Sequence, residues 1–391
     1  MLNIFFIGLI SFFTDISAEM VYPLIPLYLV SAFGATPALV GIIEGIAESL
    51  ASLLKVFSGY LTDRFQKKKA IAFSGYAAGM IYKVALILAG SWVGILCARV
   101  IDRIGKGIRT APRDVLVSES TDKGNMGKAF GLHKALDMLG AGLGILFTYF
   151  LVRNNNGSFE YKRVFVFSMI PAALGLLMFI FVKEKRNVGE TKKREPFWKN
   201  IGKIDGQLKF YLLIVFLFTL GNSSNAFFIL KAKAAGFDDS GVILLFFVLH
   251  AVSALLSMPL GKLSDKIGRK KLLVPGYIVF SLCYFGFAFI SSKFGLAIIF
   301  GLYGLYTALI TGVERAFVAE ISPPELKGTM LGLQSTVSGI ALLPASIIAG
   351  LLWNKFGSAV PFIFGAGLSM ISAILLVIFM KGGVNVSRQE N

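Results

Sequence analysis

The stretch whose reading decides the fold is WVGILCARVIDRIGKGIRTAPRDVLVSE, residues 92 to 119, which has the length and apolar background of a membrane span yet carries seven charges between Arg99 and Asp114. At about 100° per residue, Arg99, Asp102, Arg103, Lys106, Arg109, Arg113 and Asp114 fall within roughly 140° of one helical face. The opposite face is Ile, Leu, Val and Ala. A charge at the bilayer centre costs about 2.5 to 3.5 kcal/mol on insertion scales, so such a face turns toward a water-filled cavity or toward partners inside a bundle. The segment reads as one wall of a polar passage.

The rest of the chain supplies the membrane protein around that wall. Of 391 residues, 55% are hydrophobic and 36 are Phe, too apolar for a soluble domain. Crossing about 30 Å of hydrocarbon takes about 20 residues, and the apolar runs number about twelve. They predict helices at about 3–31, 38–64, 70–90, 92–119, 127–151, 163–182, 209–233, 241–265, 272–291, 294–320, 328–352 and 358–380.

Net charge +17 raises the possibility of a nucleic-acid partner, but the distribution of the 39 basic residues excludes it. Twenty-three lie in alternate polar segments, nine of them from Lys183 to Lys209, against seven in the intervening loops. That asymmetry follows the positive-inside rule and puts both termini in the cytoplasm. The apolar run from Ile4 to Phe13 lacks a basic leader and continues through Asp15 and Glu19 to Val30, so it predicts a span rather than a cleaved signal. Cys97 and Cys283 both sit inside spans, which leaves no disulfide framework or CxxC site.

Two halves repeat. GYLTDRFQKKK from Gly59 matches GKLSDKIGRKK from Gly261 at an offset of 202, and SESTDKGNMGKAFGL matches AEISPPELKGTMLGL at 201, which aligns Glu119 with Glu320. The expected organisation is a six-helix bundle over 1–182, a basic cytoplasmic linker over 183–208, a second bundle over 209–380 and a cytoplasmic tail over 381–391. A parallel duplication of six-helix halves, with a site near the midplane between them, is a transporter architecture.

These residues also carry a family resemblance. The Gly-x-Leu-x-Asp-Arg/Lys pattern followed by bases, at both copies of the turn, resembles the signature loop of the major facilitator superfamily, with Gln66 replacing the pattern's Gly in the first copy. Arg99 followed by Gly105 and Gly107 resembles the family's helix-four arginine motif. GKGIRTAPRD and FFTDISAEMVYPLIPLYL resemble a prokaryotic permease branch. The resemblance implies an all-α membrane fold of two pseudo-symmetric bundles. It also implies gating roles at Asp63, Arg64, Asp265, Lys266 and Arg269, where contacts hold the bundles together when the inside is closed. Gly140, Gly142 and Gly144 only partly resemble the family's antiporter motif, because Ile145 stands in place of its Pro.

Several constellations predict chemistry. Ser11, Asp15, Glu19 and Tyr22 share a face of the first span, as do Glu44, Glu48 and Lys55 on the second. Counting about 1.5 Å per residue, Asp15, Glu19, Glu48, Asp102, Arg103 and Lys106 share a layer near the midplane. The layer reads either as a self-neutralising salt-bridge network or as a coupled set that binds solute or a proton. Glu48 leads the proton-site candidates, followed by Asp15 and Glu19, with Glu44 and Asp102 in the same set. His133 and Asp137, four residues apart, read as a proton relay or as a structural pair. Tyr22, Arg99, Arg103, Lys106, Asn222, Asn225 and His250 are the solute-binding candidates, with neutral amides standing in the second half where the first has carboxylates. Arg113 and Asp114, mirrored by Glu314 and Arg315, read as inner-rim gate elements.

The chain has no Walker loop to couple ATP and no HExxH or Cys/His cluster to hold a catalytic metal. It is expected to be a monomeric, cofactor-free, proton-coupled secondary transporter in the inner membrane, surrounded by lipid, moving a small polar, anionic organic solute. Drug/proton antiport is the alternative, and a non-transporting sensor or scaffold the alternative of another class.

Overall fold

The computed structural model describes residues 2–65, 67–122, 125–153, 160–184, 204, 206–323 and 326–380, leaving out the side chains at 56, 57, 59–65, 126, 127 and 328. The side chains of Asp63 and Arg64, together with Gln66, residues 185–203 of the expected linker and the expected tail at 381–391, lie outside the described residues.

All regular structure among the described residues is helical. The first half comprises α1 (Leu2–Val21), α2 (Leu24–Phe33), α3 (Pro37–Phe65), α4 (Lys68–Leu88), α5 (Trp92–Glu119), α6 (Met126–Arg153) and α7 (Tyr161–Met178). The second comprises α8 (Gly206–Gly221), α9 (Ala226–Ala234), α10 (Asp239–Ile267), α11 (Lys270–Phe289), α12 (Lys293–Ile310), α13 (Val313–Ile321), α14 (Lys327–Phe356) and α15 (Val360–Phe379). Among the described residues, 11 helical stretches are long and apolar enough to cross a membrane. The remaining crossing is α5, which fails that test because of the charges that mark it. It starts where Ser91 Oγ accepts the Gly94 N–H at 3.3 Å, an N-cap that satisfies an orphan donor.

The sequence predicts three unbroken helices where the structure breaks them. The first span interrupts at Tyr22 and Pro23, since proline has no N–H to donate into the preceding turn. Its repeat partner interrupts at 222–225, where Asn and Ser side chains compete with the backbone ladder. The tenth span interrupts at Thr311 and Gly312, and Gly312 adopts φ +86°, which a side chain would resist. All three breaks sit at mid-span, the place where irregular backbone is tolerated only if it lines a cavity or is covered by protein.

Each half packs around its own helix pairs, α1 with α6 and α7, α4 with α5, α10 with α12, and α11 with α15. Gly140 and Gly144 bring α6 so close to α1 that an added Cβ would strike the carbonyl oxygens of Phe12 and Ile16. Thr148 continues the contact by donating to the Met20 carbonyl at 2.9 Å. Between halves, α3 meets α14 and α6 meets α10.

The two faces of the molecule differ. Opposite the chain termini the halves are joined: Tyr161 Oη donates to Asp239 Oδ2 at 2.7 Å, and Asn354 Oδ1 accepts the Ala38 N–H at 3.3 Å. At the face of the termini, ion pairs among the described residues stay within one half, as in Lys68 with Glu119 at 2.5 Å and Arg269 with Glu320 at 2.8 Å. A cavity of about 430 Å³ opens there between α3, α5, α13 and α14.

Candidate functional site

A second cavity, of about 420 Å³, lies deeper between the halves, and the helix breaks define its rim: Tyr22, Asn222 to Asn225 and Thr311 all line it. Along α5, Arg99 to Arg109 line this central cavity, while Thr110, Ala111 and Asp114 line the cavity at the terminal face. The outer one is therefore the vestibule of the inner one, and the centre is approached from the face of the termini.

The walls are chemically unlike. The first half contributes Asp15, Glu19, Glu48, Arg99, Asp102, Arg103, Lys106 and Arg109, with Tyr22 and Tyr82. The second contributes His250, Ser253, Tyr303, Tyr306, Thr307 and the amides of Asn222 and Asn225, with no carboxylate, lysine or arginine among the described residues. A solute here meets ions on one side and neutral dipoles and rings on the other.

The arginines are already engaged. Arg99 Nη2 lies 2.6 Å from Glu44 Oε2, and its Nη1 lies 3.8 Å from Asp102 Oδ2. Arg103 Nη2 lies 3.1 Å from Glu48 Oε1, and its Nε lies 3.5 Å from Asp102 Oδ2. The Tyr22 ring sits against both guanidinium groups, 5.4 Å from Arg99 and 5.9 Å from Arg103. Arg109 lies over the Tyr76 ring at 4.5 Å. Lys106 makes no ion pair among the described residues, and neither do Asp15 and Glu19. Glu19 Oε2 and His250 Nε2 are buried without a hydrogen-bond partner. Buried polar atoms left open in this way are costly unless something else satisfies them, and at a cavity wall they are the atoms available to a ligand, a water or a proton.

The neutral wall is held more loosely. Asn222 Nδ2 donates to Tyr306 Oη at 3.3 Å, Tyr284 Oη donates to Asn222 Oδ1 at 3.5 Å, and Tyr303 Oη donates to Asn225 Oδ1 at 3.5 Å. These are long bonds, easily exchanged for bonds to a solute.

Not every expected site residue reaches the cavity. Glu44 lies behind the wall, clamped to Arg99. His133 and Asp137 also lie outside the lining, inside the first bundle, with their closest approach at 3.8 Å. Asp114, Glu314 and Arg315 line the vestibule, but Arg113 is turned to a separate niche beside Tyr76 while its guanidinium holds Asp114 at 2.8 Å. Asp265 is exposed and 3.5 Å from Arg269, which is held more closely by Glu320, and Lys266 is exposed, with no ion pair among the described residues. Sequence reading missed Tyr82, Tyr303 and Tyr306. The repeat offset of 201 sets Tyr303 opposite Asp102, and that alignment was the available signal.

Among the described residues outside the spans, one carboxyl is perturbed. Asp238, the N-cap of α10, accepts from the Ser240 hydroxyl at 2.5 Å and from the Gly241 N–H at 3.1 Å. Those bonds, the hydroxyl first, hold its carboxyl below the usual range.

The Major Facilitator Superfamily family model matches residues 7–238 and 211–390. An uncharacterised MFS-type transporter of Methanocaldococcus jannaschii is 36% identical over 385 residues, covering 96% of this chain and 94% of the relative. The multidrug resistance protein MdtG of Dickeya zeae is 23% identical over 392 residues, with 95% and 92% covered. Among solved structures, the nucleoside transporter NupG superposes with a TM-score of 0.77 at 12% identity, covering 97% of this chain and 100% of that one. The inward open conformation of the xylose transporter XylE from E. coli superposes with a TM-score of 0.78 at 15% identity, covering 98% and 97%. With its repeated halves, its central cavity and these likenesses together, the chain belongs to the Major Facilitator Superfamily: it is a multi-pass membrane transporter of small molecules and not an enzyme.

Proposed function

We propose that the protein is a proton-coupled secondary transporter of a small polar organic solute carrying an anionic group, working by alternating access in the cytoplasmic membrane as a monomer, with both termini cytoplasmic. The observation that carries the reading is Lys106: a cavity-lining cation with no ion-pair partner among the described residues, opposite a wall of uncharged amides and tyrosines. Arg99 and Arg103 are matched by Glu44, Glu48 and Asp102, and Arg109 is drawn back over the Tyr76 ring, so the anion-binding role falls to Lys106, with Asn222, Asn225 and Tyr306 taking the polar remainder of the solute.

Proton coupling is assigned to Glu19 and Asp15. Sequence reading ranks Glu48 first, but Glu48 is paired with Arg103 at 3.1 Å, while Glu19 keeps a buried oxygen with no partner. A carboxyl that is unpaired in one state and meets a cation in the other gains and loses its proton as the cavity changes sides.

The test is a solute screen in proteoliposomes with an imposed pH gradient, reading internal pH alongside solute movement. Anionic solutes that move together with protons support the reading; movement of uncharged or cationic amphipathic compounds alone removes it. That second outcome is the reading of a drug exporter, favoured by the rings of Tyr22, Phe246, Tyr303 and Tyr306 on the cavity wall and by the likeness to MdtG.

A further inference from the structure

The vestibule is lined by four charged side chains, and they are not equally engaged. Asp114 of α5 is held by Arg113, whose Nε and Nη2 lie 3.0 and 2.8 Å from its Oδ1. Glu314 of α13 accepts the Tyr277 hydroxyl at 3.5 Å. The cations are Lys55 of α3 and Arg315 of α13, which are both exposed, and neither side chain has an ion-pair or hydrogen-bond partner among the described residues. They belong to opposite halves of the molecule. With Asp114 neutralised by Arg113, the vestibule sets two cations against one carboxylate, and Ser52, Gln334, Ser335 and Ser338 add uncharged hydrogen-bonding groups. Like charges across a cleft repel, and one anion between them replaces that repulsion with two attractions. At about 430 Å³ the cleft has the size of a small-molecule pocket. It leads inward by short steps. Lys106 lines the central cavity and Thr110 the vestibule, one turn apart on α5, a rise of about 6 Å.

We propose that the vestibule is a second anion-binding site, where Lys55 and Arg315 together hold the anionic group of a small soluble organic acid on its way to or from Lys106. The proposal deepens the anionic-solute reading and rests on it. A guanidinium offers a planar fork of N–H donors and an ammonium offers three rotatable ones, so the pair takes a carboxylate, a sulfonate or a phosphate alike. The vestibule therefore selects by sign, and discrimination among anions is left to the central cavity. Its position adds a consequence for the transport cycle. The two cations stand on opposite halves at the face that must close before solute can leave by the other, so a bound anion removes a repulsion that opposes closure. Arg315 on this account serves the solute directly, while Glu314 beside it is turned to Tyr277.

The probes are two thiol reagents of similar size and opposite charge, sulfonatoethyl and trimethylammonioethyl methanethiosulfonate. They are applied to the full-length chain in phosphatidylcholine nanodiscs, with Thr307→Cys in the central cavity as the target and Cys97→Ser and Cys283→Ala removing the native thiols. Each rate is divided by that of the same reagent with free mercaptoethanol, and the anionic-to-cationic ratio is the readout. Lys55→Gln combined with Arg315→Gln should lower that ratio about tenfold, the lower end of what a charge-lined cleft adds to local ion concentration. Each single change should lower it by less. Lys271→Gln, which removes an exposed cation lining neither cavity, should leave it in place. Both reagents report on the same protein, so a variant that has lost its fold shows itself by a shared change in the two rates. An unchanged ratio in the double variant, or an equal fall with Lys271→Gln, would overturn the site. A fall seen only after phosphatidylglycerol is added would assign the cations to a lipid headgroup and overturn it as well. If the double variant keeps the ratio while Lys106→Gln still lowers uptake, the anionic-solute reading survives without the vestibule site; a solute screen that moves no anion removes that reading itself.

Discussion

Glu44 Oε2 and Arg99 Nη2 meet at 2.6 Å with each side chain only 1% exposed, the most enclosed ion pair among the described residues. The pair ties α3 to α5 directly behind the cavity wall. Removing one partner of such a pair strands the other charge, which costs about 3 to 5 kcal/mol. Glu44→Ala should therefore lower the thermal unfolding temperature sharply in detergent, while the double change Glu44→Leu with Arg99→Leu recovers part of the loss. Equal stability of Glu44→Ala and the unaltered protein would show that the pair contributes nothing.

Lys106 lines the cavity with no ion-pair partner among the described residues. Lys106→Gln should reduce uptake of an anionic solute by about tenfold, the scale of one lost charged hydrogen bond, with stability unchanged. Ile104→Ala, on the exposed side of the same helix, should leave uptake intact. Equal effects at both positions would make α5 a structural element only.

Glu19→Gln keeps the shape of the side chain and removes its titration. Solute exchange at equal pH on both sides should persist, because it requires no net proton movement, while accumulation driven by a pH gradient should disappear. Retained accumulation would move the coupling role back to Glu48.

Much of this arrangement is legible in the sequence, and the reason is physical. The charges of 92–119 share one face because a lipid-facing charge is expensive, so the periodicity alone identifies the cavity wall. The repeat of Gly59 and Gly261 likewise carries the two-bundle organisation. What the sequence does not display is partnership. Glu44, Glu48 and Lys55 share a face in projection, yet Glu44 is clamped behind the wall, Glu48 sits in it, and Lys55 reaches the vestibule. The breaks at Tyr22, Asn222 and Gly312 do leave local marks in Pro23, the Asn and Ser run and Gly312, but the long apolar runs on either side read as continuous spans. His133 is recognisable as one turn from Asp137, but its bond to Ser11 joins positions 122 residues apart.

The N-cap of α10 offers a pH-dependent test outside the membrane. Asp238 has its carboxyl depressed in the folded protein, so its contribution is present above the ordinary carboxylate range and is lost as the pH falls through the folded value. Asp238→Ala should cost the first turn of α10 about 1 kcal/mol at neutral pH. Hydrogen exchange at Gly241 and Val242 should show that difference and show it narrowing below about pH 4. A difference independent of pH would mean that the carboxylate charge is not what caps the helix.

The central claim is that a hydrated cavity between the two halves is reached from the face of the chain termini while the other face is shut. Thr307 lines that cavity, and the two native cysteines are free thiols rather than a disulfide, so the direct measurement is labelling of Thr307→Cys, in a Cys97→Ser, Cys283→Ala background, by a membrane-impermeant maleimide. In membrane vesicles of known orientation, the account predicts reaction from the cytoplasmic side and protection from the other. Equal labelling from both sides, or labelling from neither, would contradict it.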